Sequence, residues 1–381
     1  MRMLGILALA GVCAVTGLFA LPAFGDIKSF NAAVNAGDFK KAAAEATATW
    51  PTLDKSREDI ALIAREFGFV SYVAKDYAAA KKFAEFAAAK TTEDAAAAEI
   101  RSQSSVLLRL SELKLRPSGE TRDALFRSLE ARSGLAGFDN ISFAATDALV
   151  AYDLDKGRWR DAAASTDIGA KLAVSGGPSY SVERRRYELY GGVADYMVTR
   201  KASVFQQFTD LRTSLLTDIA AAPSEKSAQR FVPLFWEASG WREALDAHLI
   251  TIKARGHTPV PPRQRDNIPD PDGRLERLLG KNDDFGACPK KFDAREKPNY
   301  PVSAMYEGFT GAVILRVDID AEGKASNPEI LAAVPDKYFG DAVLRNVKDM
   351  RYLPGDAWDP ATCSLAQKGH IIVFKFLIRR R

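Results

Sequence analysis

The chain has 381 residues, of which 47% are hydrophobic and 27% charged, a balance that excludes a wholly disordered, collagen-like or many-pass membrane protein. Lys and Arg exceed Asp and Glu by 53 to 49, and a net charge of +4 is too small for a dedicated nucleic-acid binder. Three Cys and three His leave little for zinc or iron–sulfur ligation, and the sequence implies no metal and no cofactor.

Arg2 is the only charge before Asp26, and Met3 to Phe24 is apolar. A positive start, an apolar middle and small residues at Ala23 and Gly25 predict a secretory leader over residues 1–25. The alternative is an uncleaved membrane anchor through residues 3–24, since that run is long enough to span a bilayer. Removal of the leader leaves Cys288 and Cys363. In an exported chain an even pair predicts a disulfide; the alternative is two unpaired buried thiols.

Residues 26–255 are Ala-rich, and their apolar positions recur three and four apart, as in Ile60-Ile63-Phe67-Val70 and Val106-Leu107-Leu110-Leu113. One pattern recurs: Gly or Asp, an aromatic, two residues, then Ala. It stands at Gly37-Asp38-Phe39, Asp76-Tyr77, Gly157-Arg158-Trp159 and Ser239-Gly240-Trp241, with a weaker copy at Gly119 that lacks the aromatic. This predicts an array of helical hairpins with a unit of about 40 residues. Gly or Asp makes the turn, the aromatic opens the second helix, and Ala lets the helices approach. The region resembles tetratricopeptide-type repeats, which implies a scaffold able to bind peptides. An irregular helical bundle is the alternative.

Gly256 to Pro262 and Ile268 to Gly273 are dense in Pro and Gly, so residues 256–292 are expected to be a linker, with a short helix over Arg274 to Leu279.

From residue 293 the period changes. Val313, Leu315, Val317 and Ile319 alternate on one face of a strand, and Asp320 to Gly323 is a turn. A second strand is expected near Pro328 to Val334. Phe339 to Met350 reads as a helix with Phe339, Val343, Val347 and Met350 inward. His370 to Ile378 is a last strand, apolar on both faces.

These elements carry Tyr300-Pro301, Ala304, Gly308, Gly311, Phe339, Ala342, Val347, Tyr352, Pro354 and Val373-Phe374-Lys375-Phe376 in order. Residues 293–381 thereby resemble the TonB C-terminal domain family. The expected fold is multidomain: an all-α array of helical hairpins followed by an α+β domain with a small antiparallel sheet packed on helices. The resemblance implies a periplasmic, non-enzymatic adaptor that docks an envelope protein or peptide segment, such as an outer-membrane receptor, in energy-dependent transport. With it, the membrane-anchor alternative becomes an inner-membrane one. The docking edge it implies is Ile371, Ile372, Val373, Phe374, Lys375, Phe376, Leu377 and Ile378, because an edge strand offers unpaired N–H and C=O groups to an added strand. The alternative is an edge covered by the chain itself or by the mate in a homodimer. The linker spans tens of residues, without a long Pro-rich spacer, and a helical domain stands in its place.

Two other functions compete: an assembly scaffold that binds through the helical repeats, and an envelope hydrolase with a dispersed site. Asp318 to Glu329 has calcium-loop spacing, but strand-like flanks make it a hairpin turn. Ser111-Glu112-Leu113-Lys114 fits a Ser-x-x-Lys pair but lies mid-helix, without the motifs that accompany such a nucleophile.

Overall fold

Three turns early in the chain are built alike. Gly37, Lys75 and Gly157 adopt left-handed backbone, with φ of 71°, 69° and 64°. In each case the next residue's N–H reaches back five residues: Asp38 to Ala33 O (3.0 Å), Asp76 to Ser71 O (2.9 Å) and Arg158 to Asp153 O (2.8 Å). The left-handed residue itself bonds three back, to Val34, Tyr72 and Leu154. This is the Schellman termination, which satisfies the last carbonyls of one helix while reversing the chain. Asp38 and Asp76 then cap the following helix by accepting from the N–H of Lys41 and Ala79.

The computed structural model describes residues 27–90, 95–133, 139–199, 201, 204–251, 268–279, 288, 290–293, 298–306, 311–334, 339–356 and 358–376. The expected leader, 1–25, and much of the expected linker lie outside them. Two compact units divide the chain, one ending at Tyr187 and the other beginning at Glu188.

The first unit is helical: α1 (Lys28–Asn35), α2 (Phe39–Thr49), α3 (Ile60–Val73), α4 (Tyr77–Ala89), α5 (Ala95–Leu115), α6 (Gly119–Ser133), α7 (Asn140–Asp155), α8 (Trp159–Ser175) and the start of α9 (Ser181–Thr199). The three turns make hairpins of α1 with α2, α3 with α4, and α7 with α8. Phe39, Tyr77 and Trp159 each open the second helix of their pair, as their spacing predicts. Trp50 meets Phe83 and Phe86 edge-on at 5.2 and 4.9 Å, beside Phe30 and Phe67 in the first core. Between α6 and α7 the Arg122 guanidinium grips fully buried Asp153 through Nε (2.8 Å) and Nη2 (2.7 Å), and Ser165 donates to the same carboxylate. Burial raises the Asp153 pKa, and the bonds from Arg122 oppose the shift.

The second unit continues α9 and adds α10 (Phe205–Ala221), α11 (Glu225–Gln229), α12 (Val232–Thr251) and α13 (Arg274–Leu279), the last at the predicted place. Then come β1 (Lys290–Phe292), α14 (Val302–Tyr306), β2 (Gly311–Ile319), β3 (Ala325–Val334), α15 (Gly340–Asn346), β4 (Tyr352–Pro354) and β5 (Gln367–Phe376). The main sheet is antiparallel in the order β3-β2-β5, and β1 pairs with β4 in a separate ribbon. The 320–323 turn forms as expected, with Asp320 Oδ1 accepting from the N–H of Lys324 at 2.8 Å.

Val313, Leu315, Val317 and Ile319 point into a core with Phe339, Val343, Val347 and Met350, all eight buried. The expected helix over these last four divides into α15 and a 3-10 turn, Val347–Asp349. The opposite face of β2 is also buried: Ala312 and Ile314 are fully covered, and α12 packs there.

The fourth copy of the hairpin pattern departs from expectation. Ser239-Gly240-Trp241 lies inside α12, with no turn. A Cβ on Gly240 would stand 3.3 Å from methyl groups of Ile314, Ile371 and Val373, so its bare backbone is what lets α12 rest on β2 and β5. Trp241 stacks on Phe208 of α10 at 5.4 Å and 6°.

Candidate partner-docking edge

β5 forms because its residues satisfy two interiors at once. Val317↔His370 through Gly311↔Phe376 pair in unbroken antiparallel register with β2, seven residues long. His370, Ile372, Phe374 and Phe376 face the core, while Ile371, Val373 and Lys375 face α12. The strand's apolar character on both faces, read from the sequence, thus has a physical cause: both faces are covered.

Each end of the strand is tied. Lys375 pairs with Glu243 of α12 at 2.9 Å, and Arg316 of β2, opposite Ile371, pairs with Glu237 of α12 at 2.9 Å and Glu329 of β3 at 3.2 Å. Phe376 stacks on Phe339 at 4.5 Å and meets Tyr300 edge-on at 5.7 Å. At the other end His370 Nε2 lies 2.9 Å from Tyr352 Oη. Burial, aided by the charge of Lys290, pushes the His370 pKa down to about 3, so its ring is neutral at ordinary pH. Cys288 and Cys363 form a disulfide with Cα atoms 5.4 Å apart, joining the segment before β1 to the loop that leads into β5.

The sheet has two outer strands, and they differ. β3 is broken twice in its register with β2, carries Pro328, and holds Asn327 at φ 49°. Bulges, proline and left-handed backbone all spoil an edge for pairing. Among the described residues, β5 pairs with β2 alone, over a regular run that contains no proline. Six of the eight residues expected to form the edge, Ile371 to Phe376, lie in β5. Leu377 and Ile378 lie outside the described residues.

Residues 296–367 match the family model described as Gram-negative bacterial TonB protein C-terminal. The match takes in α14, β2, β3, α15 and β4 of the TonB-type domain and stops at Gln367, the first residue of β5. No curated protein matches the chain. The family resemblance read from the residues is therefore found independently, over much the same stretch.

The residues that cover the TonB-type sheet were not legible in advance. Glu237, Gly240 and Glu243 sit one turn apart on α12, yet they read as part of a hairpin array because Gly before an aromatic imitates a turn. The available signal was the second apolar stripe, Ala312 and Ile314 on β2 with Ile371 and Val373 on β5, which requires a cover. Among the described residues, no group of three or more His, Cys, Asp or Glu side chains is placed to hold a metal. No helix among them is long and apolar enough to cross a membrane.

Proposed function

We propose that this chain is an exported, non-enzymatic adaptor of the cell envelope that docks a partner by adding an extended strand to β5. The observation that carries the reading is the contrast between the two edges: β3 is broken by bulges and proline, whereas β5 runs regular for seven residues with no strand on its outer side among the described residues. Residues 371–376, with Leu377 and Ile378 beyond them, supply the main-chain groups. Main-chain bonding provides affinity and the flanking side chains provide selectivity. The partner is an envelope protein segment, such as part of an outer-membrane receptor, and the setting is transport across the envelope. The periplasmic location depends on removal of residues 1–25.

Ile372→Pro and Val373→Pro test the reading as a pair. Adjacent residues of a strand turn their N–H groups to opposite sides, so one variant interrupts the outward row and the other the ladder to β2. Crosslinking in intact cells should recover the partner with the wild type and lose it with the outward-facing variant, whose circular dichroism stays native. Recovery of the same partner with both variants, each folded, overturns strand addition.

A further inference from the structure

The head of β5 is held differently from the rest of the strand. Residues 370–376 run in regular register with β2, but the three before them do not: the register shifts between Val317 and Ile319, and Gly369 stands in left-handed backbone at φ 66°. Gln367, Lys368 and Gly369 therefore form a bulged head, which leaves the ladder more readily than the run behind it. Asp318 Oδ1 accepts from the Gly369 N–H at 2.9 Å, and Lys290 Nζ donates to Gln367 Oε1 at 3.1 Å. Lys290 also donates to Leu365 O at 2.9 Å, so the first residue of β1 clasps the loop between β4 and β5. Two residues before Lys290 stands Cys288, bonded to Cys363 of that loop.

This crosslink lies outside the core of the sheet. Cys288 and Cys363 are half-buried, and neither they nor any described residue of the loop 355–366 belongs to the cluster around Leu315 and Phe339. The turn within the loop is local: Asp359 accepts from the Cys363 N–H at its carbonyl (2.8 Å) and from the Thr362 hydroxyl at Oδ2 (2.9 Å). The β1–β4 ribbon has its own anchor in Phe292, whose ring meets Tyr352 at 5.4 Å and Phe374 at 6.1 Å. Opening the crosslink thus leaves the core, the ribbon and the turn in place. It leaves the head of β5 held by hydrogen bonds alone. A half-exposed bond whose loss acts locally suits a reversible switch, because a reductant reaches it without unfolding the chain.

We propose that the Cys288–Cys363 bond is a redox latch on the head of β5. Closed, it fixes Gln367, Lys368 and Gly369 against the sheet and lengthens the edge that a partner meets. Opened by a dithiol, it lets the loop 355–366 and those three residues fray, and the edge docks its partner more weakly. The effect on docking rests on strand addition to β5; the latch does not. One thiolate of the dithiol attacks a sulfur of the bond, giving a mixed disulfide and a cysteine thiolate that takes up a proton. The second thiolate then displaces the other cysteine, so the reductant leaves as a disulfide and Cys288 and Cys363 each carry S–H. Two electrons and two protons pass. Cα atoms 5.4 Å apart in the folded chain allow the bond to close again.

The test is amide hydrogen exchange of the full chain, untreated and after dithiothreitol in native buffer. Dithiothreitol should expose two further thiols without denaturant. Exchange over residues 355–369 should then quicken by about tenfold or more, while β2 and α12 exchange as before. The double variant Cys288→Ser/Cys363→Ser should show the same pattern, and crosslinking in intact cells should recover a few-fold less partner with it than with the wild type. Thiols that appear only in denaturant, or exchange over 355–369 unchanged by reduction, overturn the latch. Loosening of β2 and α12 together with the loop also overturns it, since the bond would then support the whole fold. Equal partner recovery by the double variant, with the wild type sensitive to the outward-facing proline, overturns the control of docking. A partner recovered with both proline variants overturns strand addition itself, and the exchange result still decides the latch.

Discussion

Gly157 and Gly240 precede tryptophans in nearly the same local sequence, and they do opposite things. Gly157-Arg158-Trp159 ends one helix and starts the next, by backbone bonds within six residues. Ser239-Gly240-Trp241 runs straight through α12, because the glycine faces methyl groups from two strands that lie seventy or more residues later in the chain. The hairpins of the first unit are terminated locally. The second unit is assembled from distant pieces: a helix over a sheet, a disulfide across 75 residues, and the β1–β4 ribbon. A short pattern in the sequence specifies structure where the partners are its own neighbours, and yields where a tertiary surface claims the same residue.

Enlarging the two glycines should separate these cases most strongly. Gly240→Leu pushes side-chain atoms into contacts already at 3.3 Å and should cost about 2–3 kcal/mol, prising α12 from the sheet. Gly157→Leu should cost only about 1–2 kcal/mol, from left-handed backbone alone. Urea denaturation of each variant, with amide exchange of β2 and β5, measures both effects. Slowly exchanging β5 amides in Gly240→Leu would refute the role given to α12.

The next effect is the pH dependence that His370 gives the second unit. His370 has a folded pKa of about 3, below its ordinary 6.5. As pH falls below 6.5 the unfolded chain takes up a proton that the folded chain refuses, so stability drops until the pH reaches about 3. At pH 5.5 the loss should be about 1.5 kcal/mol. His370→Gln should flatten that slope, as measured by denaturation midpoints between pH 7 and 5.

The smallest effect belongs to the local turns. Lys75 occupies the left-handed site that glycine fills in the two sister hairpins. Lys75→Gly should therefore stabilise the first unit by about 1 kcal/mol, where glycine in an ordinary helical position would destabilise it. Thermal melting distinguishes the two signs.

This ordering also explains how much the sequence disclosed. Asp38, Asp76 and Gly157 announce their hairpins because capping is decided within a few residues. The alternation from Val313 to Ile319 discloses β2, and the short helix at Arg274–Leu279 follows its flanking breakers. β1 and β4, three residues each, carry no period to read, and they exist because they pair with each other across sixty residues. The Pro-rich stretch after residue 255 suggested a domain limit there, yet α12 before it packs with the sheet after it. Only the surplus of apolar residues on Ile371 and Val373 hinted at that cover. For the proposed docking edge, the strand itself was legible, while the difference between β5 and β3 lies in bulges that no local pattern shows.

The bond between Cys288 and Cys363 has a mechanical consequence. Tension applied between the chain upstream of Cys288 and a strand gripped by β5 crosses from one sulfur to the other. That covalent path bypasses the segment between the two cysteines, so β1 to β4 lie on a closed loop beside it, while β5 is also held from upstream by its ion pair to Glu243 of α12.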